Sequence, residues 1–531
     1  MKTSYARKLS IFITCIALVL ASAAVAFAGN FTQLQRAITD TPAGGTLTLS
    51  QDYTYDASAD AALGTGGITL NKAITIDGAG HFVDADYKTR AFKVDGVTGD
   101  SKVAIKNLTI KQGGAIEDKN AGTTSGGGVH IGVACNVDFT NCVITKCGSV
   151  NGTHTKDGGA ALFIYSKAKV NFMDCEISEN LGADRAGGVY LRGNATFTNC
   201  KIINNTSGSR GGGVYVDPGY GATERGGEWG GNVKMYNCTI FGNKGGRGGG
   251  IYVNPENTTL NVFENCTISS NDVSSNRVGN GGGILFYNAA GKLVNCTITD
   301  NKAKNGAGVI LDVLSTLDVT NCTIANNQAT VFGGGLCAHD GSYEADGMRT
   351  VGTAKVFGSI ITGNTLLSGD VSIPQDIIAN YSTHGTGGWA DWDDRYEGKF
   401  ISTGYNVLGT VILSNDRTEE KAPITILDTD VVDIAMADVL TCENGAPKLA
   451  DNGGKVPTVA IIESGKAHNF IPAGAVETPE TDARGIARPQ GDGSDAGAFE
   501  IEHKSSSSGC NAGFAALLLL AAVPFAFRKK G

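Results

Sequence analysis

The residues best placed for chemistry in this sequence follow clusters of glycine. The second residue after a cluster is often aromatic, and the set is His130, Leu162, Tyr190, Tyr215, Tyr252 and Leu285. The fourth residue is usually polar, and that set is Arg192, Asp217, Asn254, Tyr287, Asp312 and His339. In a β-strand the second and fourth residues point to the same side. The two sets therefore predict an outward stripe that could bind a polysaccharide, although stacked tyrosines can also serve only to stabilise a parallel sheet.

The spacing of the carboxylates argues against hydrolysis on this stripe. Asp217 and Asp312 lie three repeats apart, or about 14 Å at one strand spacing per repeat. Glycoside hydrolysis needs two carboxyl groups about 5–9.5 Å apart. Asp312 and His339 belong to adjacent repeats and could interact, but no nucleophile or metal-ligand set accompanies them. The sequence therefore favours a noncatalytic binding protein and leaves a polysaccharide lyase or hydrolase, using loop residues, as the alternative.

The loop residues that such an enzyme would use contain the three tryptophans, Trp229, Trp389 and Trp392. Exposed tryptophans could stack on sugar rings, or the loops could pack these aromatic side chains against their own coil. Asp391, Asp393 and Asp394 could bind calcium, which prefers carboxylate oxygens. Their spacing matches neither the EF-hand loop nor the glycine-rich calcium nonapeptide, and no other cofactor is predicted.

Between residues 126 and 364 one unit recurs, with a glycine cluster followed after a variable gap by Asn-Cys-x-Ile. Around each cysteine the apolar residues alternate, break once and alternate again, which indicates two strands joined by a bend. The segment after the glycines supplies a third strand. Three short strands and three bends in about 25 residues form one coil of a parallel β-helix. We therefore predict an all-β, right-handed, three-sheet parallel β-helix, a solenoid that resembles the pectin lyase-like fold.

Two columns of identical residues follow from this stacking. The repeat cysteines should form one inward file of buried thiols, because side chains stacked in parallel do not converge as a disulfide or a tetrahedral metal site requires; they are Cys142, Cys175, Cys200, Cys238, Cys266, Cys296 and Cys322. Cys135 and Cys147 could pair with each other. Five residues after each cysteine comes an asparagine suited to a sharp bend and to amide stacking: Asn180, Asn205, Asn243, Asn271, Asn301, Asn327 and, after Ser359, Asn364.

Composition agrees with an extracellular solenoid. Glycine contributes 75 of the 531 residues and charged residues only 18%, as expected for tight bends and buried strands. The net charge is −9, and basic blocks occur only at the two ends. Nucleic acid is therefore not an expected partner.

The N-terminus predicts export. Residues 1–28 carry basic residues, then an apolar run and a small-x-small site, so we expect a signal peptide cleaved after Ala28; the alternative is a membrane anchor, for which the apolar run is short. Asn30 to Asp40 reads as a capped helix with Phe31, Leu34 and Ile38 on one face. Such a helix would cover the open first coil of a β-helix spanning residues 29–403.

Residues 404–504 resemble the choice-of-anchor Q region of exported bacterial β-helix proteins. The matching motifs are Gly404-Tyr-Asn-Val-Leu-Gly409, Leu449-Ala-Asp-Asn-Gly-Gly454, Thr481-Asp-Ala-Arg-Gly-Ile-Ala-Arg-Pro-Gln490 and Asp495-Ala-Gly-Ala-Phe-Glu500. The resemblance implies a C-terminal part of the solenoid and attachment to the cell surface. It implies no catalytic residues.

Residues 505–531 resemble the Synergist-CTERM sorting tail, with small residues, an apolar stretch at 512–527 and a basic end. That resemblance implies an apolar transmembrane helix that holds the precursor in the inner membrane. It also implies envelope sorting machinery as a partner, with cleavage near Gly509 and Cys510 and modification of Cys510. Permanent anchoring in the inner membrane is the alternative.

The repeats are also similar to those of polymorphic outer-membrane proteins, in which glycine pairs alternate with Phe-x-x-Asn; here the second motif is Ile-x-x-Asn, as at Ile177 to Asn180. The family's C-terminal barrel is absent from this sequence. The resemblance implies the fold and surface display. Together these features predict an adhesin-like protein at the outer membrane or outside the cell, with glycans or host and neighbour surface proteins as partners.

Overall fold

The computed structural model describes residues 28–114, 117–118, 123–124, 126–148, 158–218, 230–255, 257–339, 352–379, 399–413 and 424–503. Within these ranges the chain winds into a right-handed parallel β-helix with three long sheets of 12, 13 and 12 strands. This confirms the three-sheet, all-β solenoid. The signal peptide before Ala28 and the C-terminal apolar stretch lie outside the described residues, as do Gly509 and Cys510.

Each coil contributes one strand to each long sheet. Sheet 1 follows the glycine clusters: Ile68–Leu70, Phe92–Val94, Val129–Ile131, Leu162–Ile164, Val189–Leu191, Val214–Val216, Ile251–Val253, Ile284–Tyr287, Val309–Asp312, Leu336–Ala338, Ile377–Ala379 and Val411–Leu413. Sheet 2 precedes the cysteines: Thr46–Thr48, Ile74–Asp77, Val103–Lys106, Asn136–Thr140, Lys169–Met173, Asn194–Thr198, Asn232–Tyr236, Asn257–Glu264, Ala289–Val294, Thr316–Thr320, Thr353–Phe357, Lys399–Gly404 and Ile424–Thr425. Sheet 3 follows the cysteines: Tyr53–Thr54, Phe82–Asp84, Thr109–Lys111, Val143–Thr145, Glu176–Ser178, Lys201–Ile203, Thr239–Phe241, Thr267–Ser269, Thr297–Thr299, Thr323–Ala325, Ile360–Thr362 and Val407–Leu408.

Shorter elements lie outside the three long sheets. Outside the bend between sheets 3 and 1 lies an outer layer, formed by Lys302–Asn305, Gln328–Phe332, Thr365–Ser368 and Val371–Pro374 and by the pair Leu181–Gly182 and Thr206–Ser207. Antiparallel two-stranded pairs are formed by Glu117–Asp118 with Thr123–Thr124, Cys442–Glu443 with Ala446–Pro447, Leu449–Ala450 with Thr458–Val459, and Ile471–Pro472 with Gly493–Ser494. Short 3₁₀ helices span Ala61–Gly66 and Met436–Asp438.

The α-helix Phe31–Asp40 covers the first coil, as predicted. Asn30 and Gln33 form a reciprocal capping box, in which each side chain accepts a hydrogen bond from the other's backbone N–H. Phe31, Leu34 and Ile38 are buried in the same apolar core as the first strands. The helix therefore shields apolar side chains that the first coil would otherwise expose.

The repeat cysteines form a single internal file. All seven are at most 3% exposed and belong to the main core, and each thiol donates to the carbonyl two residues earlier at 3.2–3.4 Å. Leu108 and Ser359 fill the same column in the coils that lack cysteine. Cys135 and Cys147 are separate free thiols, so the pairing considered for them is wrong. Burial raises the pKa of Cys147 to about 12.

The repeat asparagines form a continuous amide chain inside the wall. From Asn180 to Asn364 each side-chain Nδ2 donates to the Oδ1 of the next coil at 2.8–3.0 Å. Each Oδ1 also accepts the backbone N–H of the preceding asparagine in the chain. Left-handed backbone occurs at other positions than these: at the residue before the cysteine, as in Asn199, and one residue before the inner asparagine, as in Asn204.

Asp376 ends the amide chain. Its Oδ1 accepts the backbone N–H of Asn364 at 2.6 Å and the side-chain Nδ2 at 2.8 Å. Its Oδ2 accepts the N–H of Thr410 at 2.8 Å. Burial raises the pKa of this carboxyl to about 6, against the lowering effect of these donors.

The C-terminal segment, residues 431–503, lies against the outer face of sheet 3. It covers Thr267, Thr297 and Thr323, which are at most 1% exposed, whereas Lys201 occupies the equivalent position in an earlier coil and is exposed. The Ala498 N–H donates to Thr323 Oγ1 at 3.1 Å. Thr267 of sheet 3, together with Asn295 and Asn321 at the bend between sheets 2 and 3, donates to backbone carbonyls of the segment.

A buried charge network holds this segment together. Arg488 pairs with Glu500 at 3.2 Å, and Arg484 pairs with Asp482 at 2.7 Å. Burial lowers the pKa of Arg488 and raises that of Glu500. Removing one partner of such a pair would leave an uncompensated buried charge and would strongly destabilise the segment.

Removing one rung of the amide chain should destabilise the solenoid. In Asn271→Ala the N–H and Nδ2 of Asn243 lose their acceptor inside the wall, and each buried orphan donor costs about 1–3 kcal/mol. We expect the free energy of unfolding in urea to fall by roughly 2–5 kcal/mol. Ser275→Ala, on an exposed turn, should change it by less than about 0.5 kcal/mol. Equal stability of the two variants would contradict the ladder's role.

The Asp376 carboxyl should give the fold a pH dependence. Its folded pKa lies above the usual value of 3.8, so the folded state holds the proton more tightly and its contribution to stability is lost as pH rises from about 4 to about 6. Denaturation midpoints measured across this window should fall less steeply with rising pH in Asp376→Asn than in the natural protein. Parallel curves would contradict the assignment.

Candidate functional site

The predicted outward stripe exists, with one correction in register. Tyr190, Tyr215 and Tyr252 pair directly from coil to coil. In the earlier coil the partner of Tyr190 and of His130 is Phe163, whereas Leu162 pairs with Val129 and points inward. The prediction of Leu162 was wrong because two alanines take the place of glycines there and shift the count by one residue.

The rings of the stripe lie on the outer side of sheet 1, but they are covered. Tyr190, Tyr215 and Tyr252 are 0–2% exposed and form an outer apolar cluster with Phe163, Leu285, Ile310 and Cys337. A left-handed residue before each strand, Ala186, Gly211 or Gly248, turns the chain directly over the ring. A Cβ on Gly248, which has φ +61°, would lie 2.6 Å from the Tyr252 Cβ. These tyrosines support the alternative role of stabilising the sheet.

Four polar members of the stripe form two pairs, Arg192 with Asp217 and Asp312 with His339. Asp217 is 4% exposed and contacts Arg192 at 3.3 Å and Arg185 at 3.8 Å. Asp312 lies 3.4 Å from the His339 Nδ1, as the adjacent-repeat prediction required. Asn254 is 6% exposed. Two sheet-1 strands separate the coils of Asp217 and Asp312, which matches their predicted three-coil spacing.

The remaining predicted site residues are not described by the structure. Trp229, Trp389, Trp392 and the acidic cluster at 391–394 fall outside the described ranges. Within those ranges no group of three or more His, Cys, Asp or Glu side chains is arranged to bind a metal ion. None of the helices described there is both long and apolar enough to span a membrane.

A polar groove of about 610 Å³ runs along the axis outside the amide chain. Its walls are the residues immediately before and after each inner asparagine, which point outward because their neighbour points inward. They are Asn204, Gly242, Lys244, Ser270, Asp272, Asp300, Lys302, Asn326, Gln328 and Thr365. Five steps between coils at about 4.8 Å give the groove a length of about 24 Å.

Asp300 is the most enclosed carboxyl of the groove. Its Oδ1 accepts the Asn326 Nδ2 at 2.6 Å, and its Oδ2 accepts the Thr299 hydroxyl at 3.2 Å. Burial raises its pKa. A carboxylate offers about four lone-pair sites, so Asp300 retains capacity to accept hydrogen bonds from hydroxyl groups of a ligand. The groove as a whole presents donors and acceptors of both charges and no aromatic ring.

Comparison with protein families identifies the fold. A family model described as the right handed beta helix region matches residues 94–272 and 246–384. The chain belongs to the right-handed β-helix family. No curated protein and no solved structure gives a significant match. Family membership establishes the fold, while the function must be argued from the site.

The repeats of this chain also contain a feature that was not predicted from the sequence, a row of arginines. Arg185, Arg210 and Arg247 pair with one another on consecutive coils of the outer layer, and Asn280 and Asn305 continue the row. The arginine recurs just before the glycine cluster in each of these coils. The regular position of these arginines could have predicted the row, whereas the predicted site consisted mainly of acidic and aromatic residues.

The arginines lie beside the covered tyrosines. The Arg185 Nη1 donates to the Tyr190 hydroxyl at 3.4 Å, and the Arg210 Nη1 donates to the Tyr215 hydroxyl at 3.2 Å. Burial and the nearby Arg185 charge lower the pKa of Arg210, whereas the Tyr215 hydroxyl raises it. The net effect is a raised pKa. Within the described ranges no carboxylate forms an ion pair with Arg210 or Arg247.

Proposed function

We propose that this chain is an exported, surface-attached β-helix protein that binds glycans or surface proteins without transforming them. The observation that carries this proposal is the polar groove beside the amide chain. It is open along six coils and is lined almost entirely by hydrogen-bonding side chains. Such a surface suits an extended, hydroxyl-rich chain better than a compact apolar molecule, which needs an enclosed apolar pocket.

The solenoid suits display. Its three sheets stack 12 or 13 strands, which at about 4.8 Å per coil gives a rod of roughly 55 Å. The C-terminal segment packs against the side of the last coils, so a tail that follows it would attach the rod at that end. The resemblance of residues 404–504 and 505–531 to anchoring and sorting regions supports export, sorting and surface attachment as part of this proposal.

The state of the predicted stripe supports a noncatalytic role. Asp217 is neutralised by two arginines, and the tyrosines beside it are covered. Neither group is placed to reach a polymer lying on the rod. Binding through the groove requires no reacting group, and it gains from the many equivalent contacts that stacked coils provide.

The groove also favours one second candidate, a glycoside hydrolase. Asp272 and Asp300 lie on adjacent coils and line the same groove, and the raised pKa of Asp300 is a property of general acids in this reaction. Against this role, Asp272 accepts hydrogen bonds from both the N–H and the hydroxyl of Ser274. Asp300 is held by Asn326 and Thr299.

Removing the groove's polar side chains should weaken binding without affecting the fold. Purified protein would be applied to a glycan array and to intact cells. Lys302→Ala/Gln328→Ala should bind at least about tenfold more weakly, because a hydrogen bond from charged Lys302 is worth about 1.5–3 kcal/mol and one from neutral Gln328 about 0.5–1.5 kcal/mol. The exposed pair Lys169→Ala/Lys201→Ala, on other faces, is the matched control. Equal binding by both double variants would contradict the groove assignment.

A reducing-sugar assay on the bound glycans separates the two candidates. The binding proposal predicts no release of sugar ends by the natural protein. Release that is abolished in Asp300→Asn, with binding retained, would establish the hydrolase and overturn the noncatalytic proposal.

A further inference from the structure

The row of arginines brings like charges close together, and packing alone does not explain this arrangement. Arg185, Arg210 and Arg247 stand in register on neighbouring coils, so their backbones are about 4.8 Å apart. Like charges that face each other across paired strands destabilise the pairing. Among the described residues, Arg185 has carboxylates within reach, at Asp184 and Asp217, whereas Arg210 and Arg247 form no ion pair with a carboxylate. Two adjacent positive charges of the row are therefore not balanced within the described part of a protein whose net charge is −9.

The tyrosines explain part of this arrangement. The Arg210 guanidinium lies 5.9 Å from the Tyr215 ring centre and 6.0 Å from that of Tyr252. A cation at this distance from a ring gains modestly. One face of the Arg210 guanidinium thus contacts the aromatic rings. Its edge carries five N–H donors, and the Tyr215 hydroxyl accepts one of them.

The row is accessible. Arg185, Arg210 and Arg247 are all partly exposed, whereas the tyrosines behind them are buried. The chain path fixes the spacing, because each arginine precedes the left-handed residue that turns over the ring of its own coil: Ala186, Gly211 and Gly248. The three arginines are thus held at equivalent backbone positions, which are paired from coil to coil.

We propose that Arg185, Arg210 and Arg247 form a binding site for an acidic polysaccharide that bears carboxylate or sulfate groups. Guanidinium groups bind such oxyanions through paired N–H donors, which lysine cannot reproduce. A linear polymer with recurring anions would neutralise successive arginines along the axis and relieve their repulsion. The inference rests on the proposed function, since it gives the surface protein a ligand class, but it concerns residues outside the polar groove.

The test measures binding of purified full-length protein to immobilised polygalacturonate, dextran sulfate and uncharged dextran, with EDTA present to exclude calcium bridging. Arg210→Gln/Arg247→Gln should bind the acidic polymers at least about tenfold more weakly, and raising the salt concentration should weaken the natural protein in the same direction. Lys169→Gln/Lys201→Gln removes the same net charge elsewhere and should stay within about twofold. Arg210→Lys/Arg247→Lys keeps the charge and should still lose most of the affinity, because the paired donors are gone.

The outcomes are distinct. A preference for polygalacturonate or for dextran sulfate identifies the anion as carboxylate or sulfate, and either supports the proposal. Equal losses in the arginine and lysine variants, full affinity in the Arg→Lys variant, or no binding to either acidic polymer would overturn it. Binding to duplex DNA in preference to both polymers would overturn it in favour of nucleic acid. Melting curves serve as the control that all variants fold. If the arginine site is overturned but the protein still binds cells, the proposed surface function stands without it.

Discussion

The register between adjacent coils is the constraint on which this structure depends. The amide chain from Asn180 to Asn364 enforces it, because each side chain must meet both the side chain and the backbone of the next coil. A shift of one residue would point the inner asparagine outward and leave a row of buried donors without acceptors. The file of thiols and the stacked Phe139, Phe172 and Phe197 add packing to the same alignment. Coils of different length can therefore share one wall, since their extra residues leave the wall at the bends.

The same constraint produces the surface features. Residues on either side of the inner asparagine are forced outward, and their stacking forms the polar groove. The residue before the left-handed turn is likewise repeated from coil to coil, and its stacking forms the arginine row. A solenoid thus converts a local sequence preference into a linear surface feature, and this is why a linear polymer is the ligand proposed for it.

The fold could be predicted because its signals are local and repeated. The glycine clusters, Asn-Cys-x-Ile and the capping residues Asn30 and Gln33 each report on a few neighbouring residues. Burial of the stripe could not be predicted, because it depends on the path of the chain between inner asparagine and strand. The packing of the C-terminal segment on sheet 3 was also not predicted. The sequence does change there: the position of exposed Lys201 is taken by buried Thr267, Thr297 and Thr323 in the coils that the segment contacts. The arginine row was visible in the sequence and was missed because the search was for acids and aromatics.

Alkylation of the thiol file tests the central claim most directly. The protein would be treated with iodoacetamide at increasing urea concentration, and labelling at each cysteine would be read by peptide mass spectrometry. In-register stacking predicts that Cys142, Cys175, Cys200, Cys238, Cys266, Cys296 and Cys322 stay unmodified until the coils unfold, while half-exposed Cys442 reacts under native conditions. Native labelling at several of these seven positions would show that the cysteines do not share one internal file, and the architecture described here would be wrong.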